Sequence, residues 1–134
     1  MVDLSLIKIS VTIVLAVVGW LVAHYFTTKR DISNKRRSLV IEHLIESYRI
    51  LTNDIAQREP TNESNLKLEN ILSDIQLFGS LEQINMSKEL ATKVASGGFF
   101  ELSPLIASLR NDLRNELNLT KVDGNVKWLR FNEK

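Results

Sequence analysis

Residues Ile9–Phe26 read ISVTIVLAVVGWLVAHYF, a run with no formal charge when His24 is neutral. A helix needs ~17–25 apolar residues to cross the hydrocarbon core of a bilayer. The run meets that length, more comfortably if Leu4 to Ile7 join it. Lys8 then falls inside the span, where its long stem can carry the ammonium out to the headgroups. Tyr25 stands where an interfacial aromatic is expected, and Trp20 somewhat deeper. These features predict a transmembrane helix with a short outer segment over residues 1–28. A core helix of a globular protein is the competing reading.

Working outward, the next residues are KRDISNKRR, with Lys29, Arg30, Lys35, Arg36 and Arg37. They form a basic juxtamembrane segment over 29–37, against Lys8 alone on the other flank. That asymmetry predicts a cytoplasmic C-terminal side. The cluster can also attract anionic lipid, at ~1 kcal/mol per near-surface charge. A cleavable signal peptide carries its charge before the apolar run and ends at a small-residue site. Here the charge follows the run, and HYF follows Ala23, so a retained anchor is expected. Sequons at Asn62, Asn85 and Asn118 would then never meet a glycosylation enzyme.

Within the span, Ser5, Lys8, Thr12, Ala16, Gly19, Ala23 and Thr27 recur every three or four residues. At about 100° per residue they share one sector of a helix. Ile13, Val14, Leu15, Val17, Val18, Leu21 and Val22 occupy the faces suited to lipid. Small residues at this spacing allow close helix–helix approach, and hydroxyls can bond across the contact. The stripe is therefore a candidate packing face for self-association. Because Lys8, Thr12 and Thr27 tolerate water, a pore lining is the sharper version.

The remaining chain predicts an all-α fold, the membrane helix followed by a small cytoplasmic helical bundle at 38–117 and a tail at 118–134. Ile41, Leu44, Ile45, Tyr48, Leu51 and Ile55 repeat at helical spacing up to Arg58, and Pro60 with TNES ends that helix. No strong breaker separates it from the membrane helix, so the two are expected to form one long rod, with Asp31 to Asn34 the place for a joint. A second helix is expected from about Asn65, with Leu68, Ile71, Leu72, Ile75 and Phe78 inward and a left-handed Gly79 at its end. Ser80 and Gln83 form an S-x-x-Q capping box for a third helix. Its expected core side is Leu81, Ile84, Leu90 and Val94, and Gly97-Gly98 stop it. Phe99, Phe100 and Leu102 are expected to plug the core. Ser103-Pro104 reads as N-cap and first turn of a fourth helix whose stripe is Leu105, Ile106, Leu109, Leu113 and Leu117. The tail has a turn signal at Asp123-Gly124 and an amphipathic patch at Trp128, Leu129 and Phe131, to pack on the bundle or on a neighbour.

Composition narrows the chemistry. Hydrophobic residues make up 44% and charged residues 25% of 134, as in folded proteins. The net charge of +1 divides unevenly: residues 1–37 hold six basic and two acidic side chains, and 38–134 hold eleven and fourteen. A slightly acidic domain makes nucleic acid an unfavoured partner. No cysteine is present, which excludes disulfides, thiolate zinc sites and a cysteine nucleophile. No catalytic, cofactor or metal residues stand out. Gly97-Gly98 lacks the lysine and context of a phosphate loop. Asp112 and Glu116 read as a solvated i, i+4 ladder among arginines. His43 lies off the apolar face and is expected in solvent.

One segment, Arg110-Asn111-Asp112-Leu113-Arg114-Asn115, resembles the R-(polar)-x-x-x-H motif of HEPN ribonuclease domains. Those are small helical bundles that act as dimers. Arg110 and Asn111 match, but Asn115 stands where the histidine belongs. An amide cannot exchange a proton near neutral pH as imidazole does. The resemblance thus implies the fold without the nuclease activity, a degenerate RNA-binding or RNase domain. The layout as a whole is similar to the HEPN-like pore-forming membrane accessory of type VI-B CRISPR systems. DIQLFGS and LRNDLRNELNL are also similar to stretches of uncharacterised bacterial single-span membrane proteins. These likenesses imply a bacterial inner-membrane location and a non-enzymatic, self-associating accessory or effector in defence or stress. The alternative is a monomeric anchor that recruits a soluble protein partner on the cytoplasmic side.

Overall fold

The computed structural model describes residues 3–131, all helix and connecting chain, with no strand among them. Four α-helices follow one another: α1 (Leu4–Ile50), α2 (Asn62–Phe78), α3 (Leu81–Ala95) and α4 (Ser103–Glu116). A π-helical turn, Leu51–Ile55, closes α1. The chain divides into two compact units between Ser38 and Leu39.

In the first unit α1 is long and apolar enough to span a membrane, and none of its apolar window is buried within the chain. A core helix of a soluble domain buries most of such a surface. The helix is continuous through Asp31 to Asn34, with no joint there. Propensity agrees, because Lys, Arg, Asp, Ile, Ser and Asn are all tolerated in helix interiors and neither Gly nor Pro interrupts them.

The second unit is the helical bundle. Its core joins Leu44, Leu51 and Ala56 to Leu68, Ile71, Leu72 and Ile75 of α2 and Leu105, Ile106, Leu109 and Leu113 of α4. These are the stripes read from the 3.6-residue period. Leu117 departs from its stripe and is exposed, because α4 ends at Glu116 and Asn118 turns into the left-handed region at φ 56°.

Helix ends account for several further departures. The TNES stretch starts α2 rather than merely ending α1. Thr61 Oγ1 accepts from the Ser64 amide at 3.0 Å, and the Thr61 amide donates to Ser64 Oγ at 2.8 Å. Such reciprocal bonds satisfy two amides that a helix start leaves open. Helix α4 begins at Ser103 itself, with Leu102 at the cap position and no side-chain cap bond. Gly79 is extended, at φ −72° and ψ 167°, not left-handed. Its glycine is required by space: a Cβ would lie 2.5 Å from the Ile75 carbonyl oxygen.

Helix α3 differs most from expectation. Leu81 and Val94 are exposed and Ile84 is half-buried; the buried face is Gln83, Ser87 and Leu90. The capping box at Ser80 and Gln83 forms as read, but it turns the Gln83 side chain inward. A polar seam then replaces the expected apolar one. Phe100 and Leu102 pack against the core, whereas Phe99 is 94% exposed, carried outward beyond the Gly97-Gly98 turn. His43 is half-buried and stacks on Phe78, ring centroids 4.7 Å apart, so it is not in free solvent.

Candidate functional site

Three regions bring together the residues singled out from sequence. The first is the stripe on α1. Ser5, Lys8, Thr12, Ala16, Gly19, Ala23 and Thr27 are all helical and exposed within the chain. Thr12 Oγ1 donates to the Lys8 carbonyl at 2.9 Å, so its proton is satisfied inside the helix and only its lone pairs face outward. A Cβ built on Gly19 meets nothing within 4 Å. Glycine at this position therefore serves no contact of its own chain. Trp20 and His24, one turn apart, stack with centroids at 5.5 Å. Lys29, Arg30, Lys35, Arg36 and Arg37 follow on the same helix and are exposed.

The second region is the R-N-x-x-R segment of α4, which fastens the tail. Arg110 Nη2 donates to the carbonyls of Val122 and Gly124, each at 2.7 Å. Arg114 Nε donates to the Thr120 carbonyl at 2.7 Å, and Asn111 Oδ1 accepts from the Val122 amide at 3.1 Å. Gly124 makes the turn with φ +81°, where a side chain would be strained. Asn115 is exposed. Arg110, Asn111 and Arg114 thus satisfy main-chain groups of a segment that has no ladder of its own.

Beside them lies a polar cleft of about 410 Å³, lined by Glu82, Ser108, Asn111, Asp112, Asn115 and Lys121 among others. Asp112 is not part of a solvated ladder. It is half-buried, and its Oδ2 accepts from Gln83 Nε2 at 2.5 Å. The same Gln83 amide reaches Ser108 Oγ at 3.4 Å, while Gln83 Oε1 accepts from the Ser80 amide at 3.0 Å. One buried glutamine therefore ties the start of α3 to the middle of α4. Ser87, on the same buried face, leaves its hydroxyl without a partner.

The third region is the end of the tail. Burial alternates residue by residue: Val126, Trp128 and Arg130 turn inward, Lys127, Leu129 and Phe131 outward. Val126 and Trp128 pack against the core. Leu129 and Phe131 are 76% and 84% exposed. The sequence patch Trp128, Leu129 and Phe131 is thus divided between two faces, as an extended chain with a two-residue period requires. Trp128 also lines a second cleft of about 350 Å³ with Phe99, Phe100, Leu102, Pro60 and Arg58.

Sequence reasoning missed Arg130, which donates to the carbonyls of Thr52 and Ala56. The only local signal was the alternation in VKWLRF. Among the described residues, no three His, Asp or Glu side chains converge in a way that could hold a metal ion. Comparisons with protein-family models, curated proteins and solved structures find no match to the chain.

Proposed function

We propose that the protein is a single-pass, self-associating membrane protein of non-enzymatic action, whose helical bundle lies on the cytoplasmic side. The observation that carries this reading is the apolar part of α1, exposed throughout within its own chain and bearing a stripe of small and hydroxyl residues. Exposed apolar surface on this scale needs lipid or another helix to cover it. Gly19 has no intrachain reason to be small, which favours a reason in another helix. The basic residues from Lys29 to Arg37 favour the cytoplasmic side for the bundle.

Engagement of Arg110, Arg114 and Asn111 with the tail favours a structural role for that segment over nucleic-acid chemistry. An accessory or effector role in a bacterial defence or stress system, with a ring of α1 helices forming a pore, rests on the layout resemblance. A second reading, a monomeric anchor for a soluble partner, is favoured by the outward Leu129 and Phe131.

The test is the mass of the full-length protein in detergent beside a Gly19→Leu/Ala23→Leu variant, by sedimentation over a wide concentration range. A defined oligomer that the variant loses supports self-association and directs attention to ion flux across vesicles. Monomers in both would overturn it in favour of the anchor.

A further inference from the structure

We infer that the C-terminal tail is a latch: Arg130 supplies the missing cap of α1, so that docking of the tail and the closing turn of α1 form and open together. The reasoning starts from the carbonyls at the end of α1. In a continued α-helix the Thr52 carbonyl would accept from the amide of Ala56. Here the Ala56 amide instead bonds one residue further back, to Leu51 at 2.8 Å. Gln57 then turns into the left-handed region at φ 53°, which ends the helix.

The carbonyls left over need other donors. Arg58 serves two of them, its Nε bonding Asn53 at 2.6 Å and its amide bonding Ile55 at 3.3 Å. Arg130 serves Thr52 and Ala56 from 78 and 74 residues away. A guanidinium also suits the negative end of the helix dipole.

The tail is built to be held in this way. Its polar ties to the bundle run from Arg110, Arg114 and Arg130 to main-chain carbonyls, with Asn111 accepting one amide. Its apolar ties are Val126 and Trp128. Left-handed Asn118 and Gly124 mark the two bends at which it turns. Leu129 and Phe131 alternate with the latching residues and stand exposed, a handle that a partner can grip without first displacing the latch. When Arg130 leaves, the Thr52 and Ala56 carbonyls lose this donor, and the closing turn, left without its cap, frays. Removal of the tail is therefore linked to fraying of the last turn of α1, and the linkage is reciprocal.

Amide hydrogen exchange of the full-length protein in detergent tests this, comparing wild type with Arg130→Ala and Arg130→Lys. In Arg130→Ala, exchange is expected to rise at least tenfold in 51–58 with the middle of α3 unchanged, and Trp128 emission, read in a Trp20→Phe background, to shift to the red as the tail leaves the core. Arg130→Lys keeps the charge but loses the fork and is expected to fall between. If Arg130→Ala raises exchange in α3 as well, the milder lysine variant decides by the same two readouts. A red shift of Trp128 with 51–58 at the wild-type rate would overturn the latch, as would fully solvent-exposed Trp128 emission in wild type.

Discussion

Replacing Gln83 with alanine is expected to destabilise the bundle about as much as truncating a buried core leucine, although glutamine is usually a surface residue. Three losses combine. The bond from Gln83 Nε2 to Asp112 is charge-assisted, and Asp112 stays half-buried when its donor is gone. Bonds to charged groups contribute ~1.5–3 kcal/mol, and partial access of Asp112 to water places this one near the lower end. Loss of the Oε1 half of the capping box exposes the Ser80 amide; intact caps of this kind contribute ~0.5–1 kcal/mol. Truncating a side chain that is fully buried leaves a small cavity, at about 1 kcal/mol. The sum is about 3 kcal/mol, and a bundle of this size should melt roughly 12–24 °C lower. The assay is thermal or urea unfolding of the full-length protein in mild detergent. Trp128 fluorescence reports on the bundle in a Trp20→Phe background, since these are the two tryptophans of the chain. A loss below about 1 kcal/mol would refute the reasoning, by showing that the seam between α3 and α4 is not held by this side chain.

The same unfolding assay checks the remaining expectations. Ser87→Ala removes a fully buried hydroxyl that has no partner, so it should be neutral or stabilise by up to ~1 kcal/mol. Thr61→Ala removes the α2 cap and should cost ~1 kcal/mol. Lys67 is held above its ordinary value of 10.5 by its hydrogen bond to Asp54 at 3.0 Å and by Glu63. A raised folded-state value stabilises fully below 10.5, and that stabilisation fades as pH rises through the folded value. The melting difference between wild type and Lys67→Met should therefore be constant through neutral pH and shrink on the alkaline side beyond 10.5.

Much of the fold was legible because one long apolar run and one helical period dominate the sequence. The uncharged run from Ile9 to Phe26 falls within one long helix, and the leucine and isoleucine stripes of α2 and α4 face the core, Leu117 apart. Capping chemistry was legible where it was complete, at Ser80 and Gln83. It misled where a residue had two uses. Thr61 and Ser64 look like loop, yet they begin a helix; Gly79 looks like a left-handed stop, yet it is needed for space against Ile75. The inward face of α3 was misread because hydrophobicity marks a core only when the neighbours are apolar. Opposite Gln83 stand Ser108 and Asp112, and that pairing is set by packing between helices 25 to 29 residues apart in sequence. Arg110 and Arg114 looked like a surface motif for the same reason, since their carbonyl partners lie in a segment with no periodic signal of its own. The two-residue alternation from Val126 to Phe131 was present but short, and an extended strap without a sheet has no template by which it is usually sought.

The central claim is that the apolar part of α1 crosses the bilayer and leaves the bundle on the cytoplasmic face. Because the chain has no cysteine, single variants Asp3→Cys, just before α1, and Leu129→Cys can be read without background. Whole cells expressing each are treated with a membrane-impermeant maleimide before and after permeabilisation. The account predicts that Asp3→Cys labels in intact cells and Leu129→Cys only after permeabilisation. Labelling of Leu129→Cys in intact cells, or of neither variant until the membrane is opened, would contradict it.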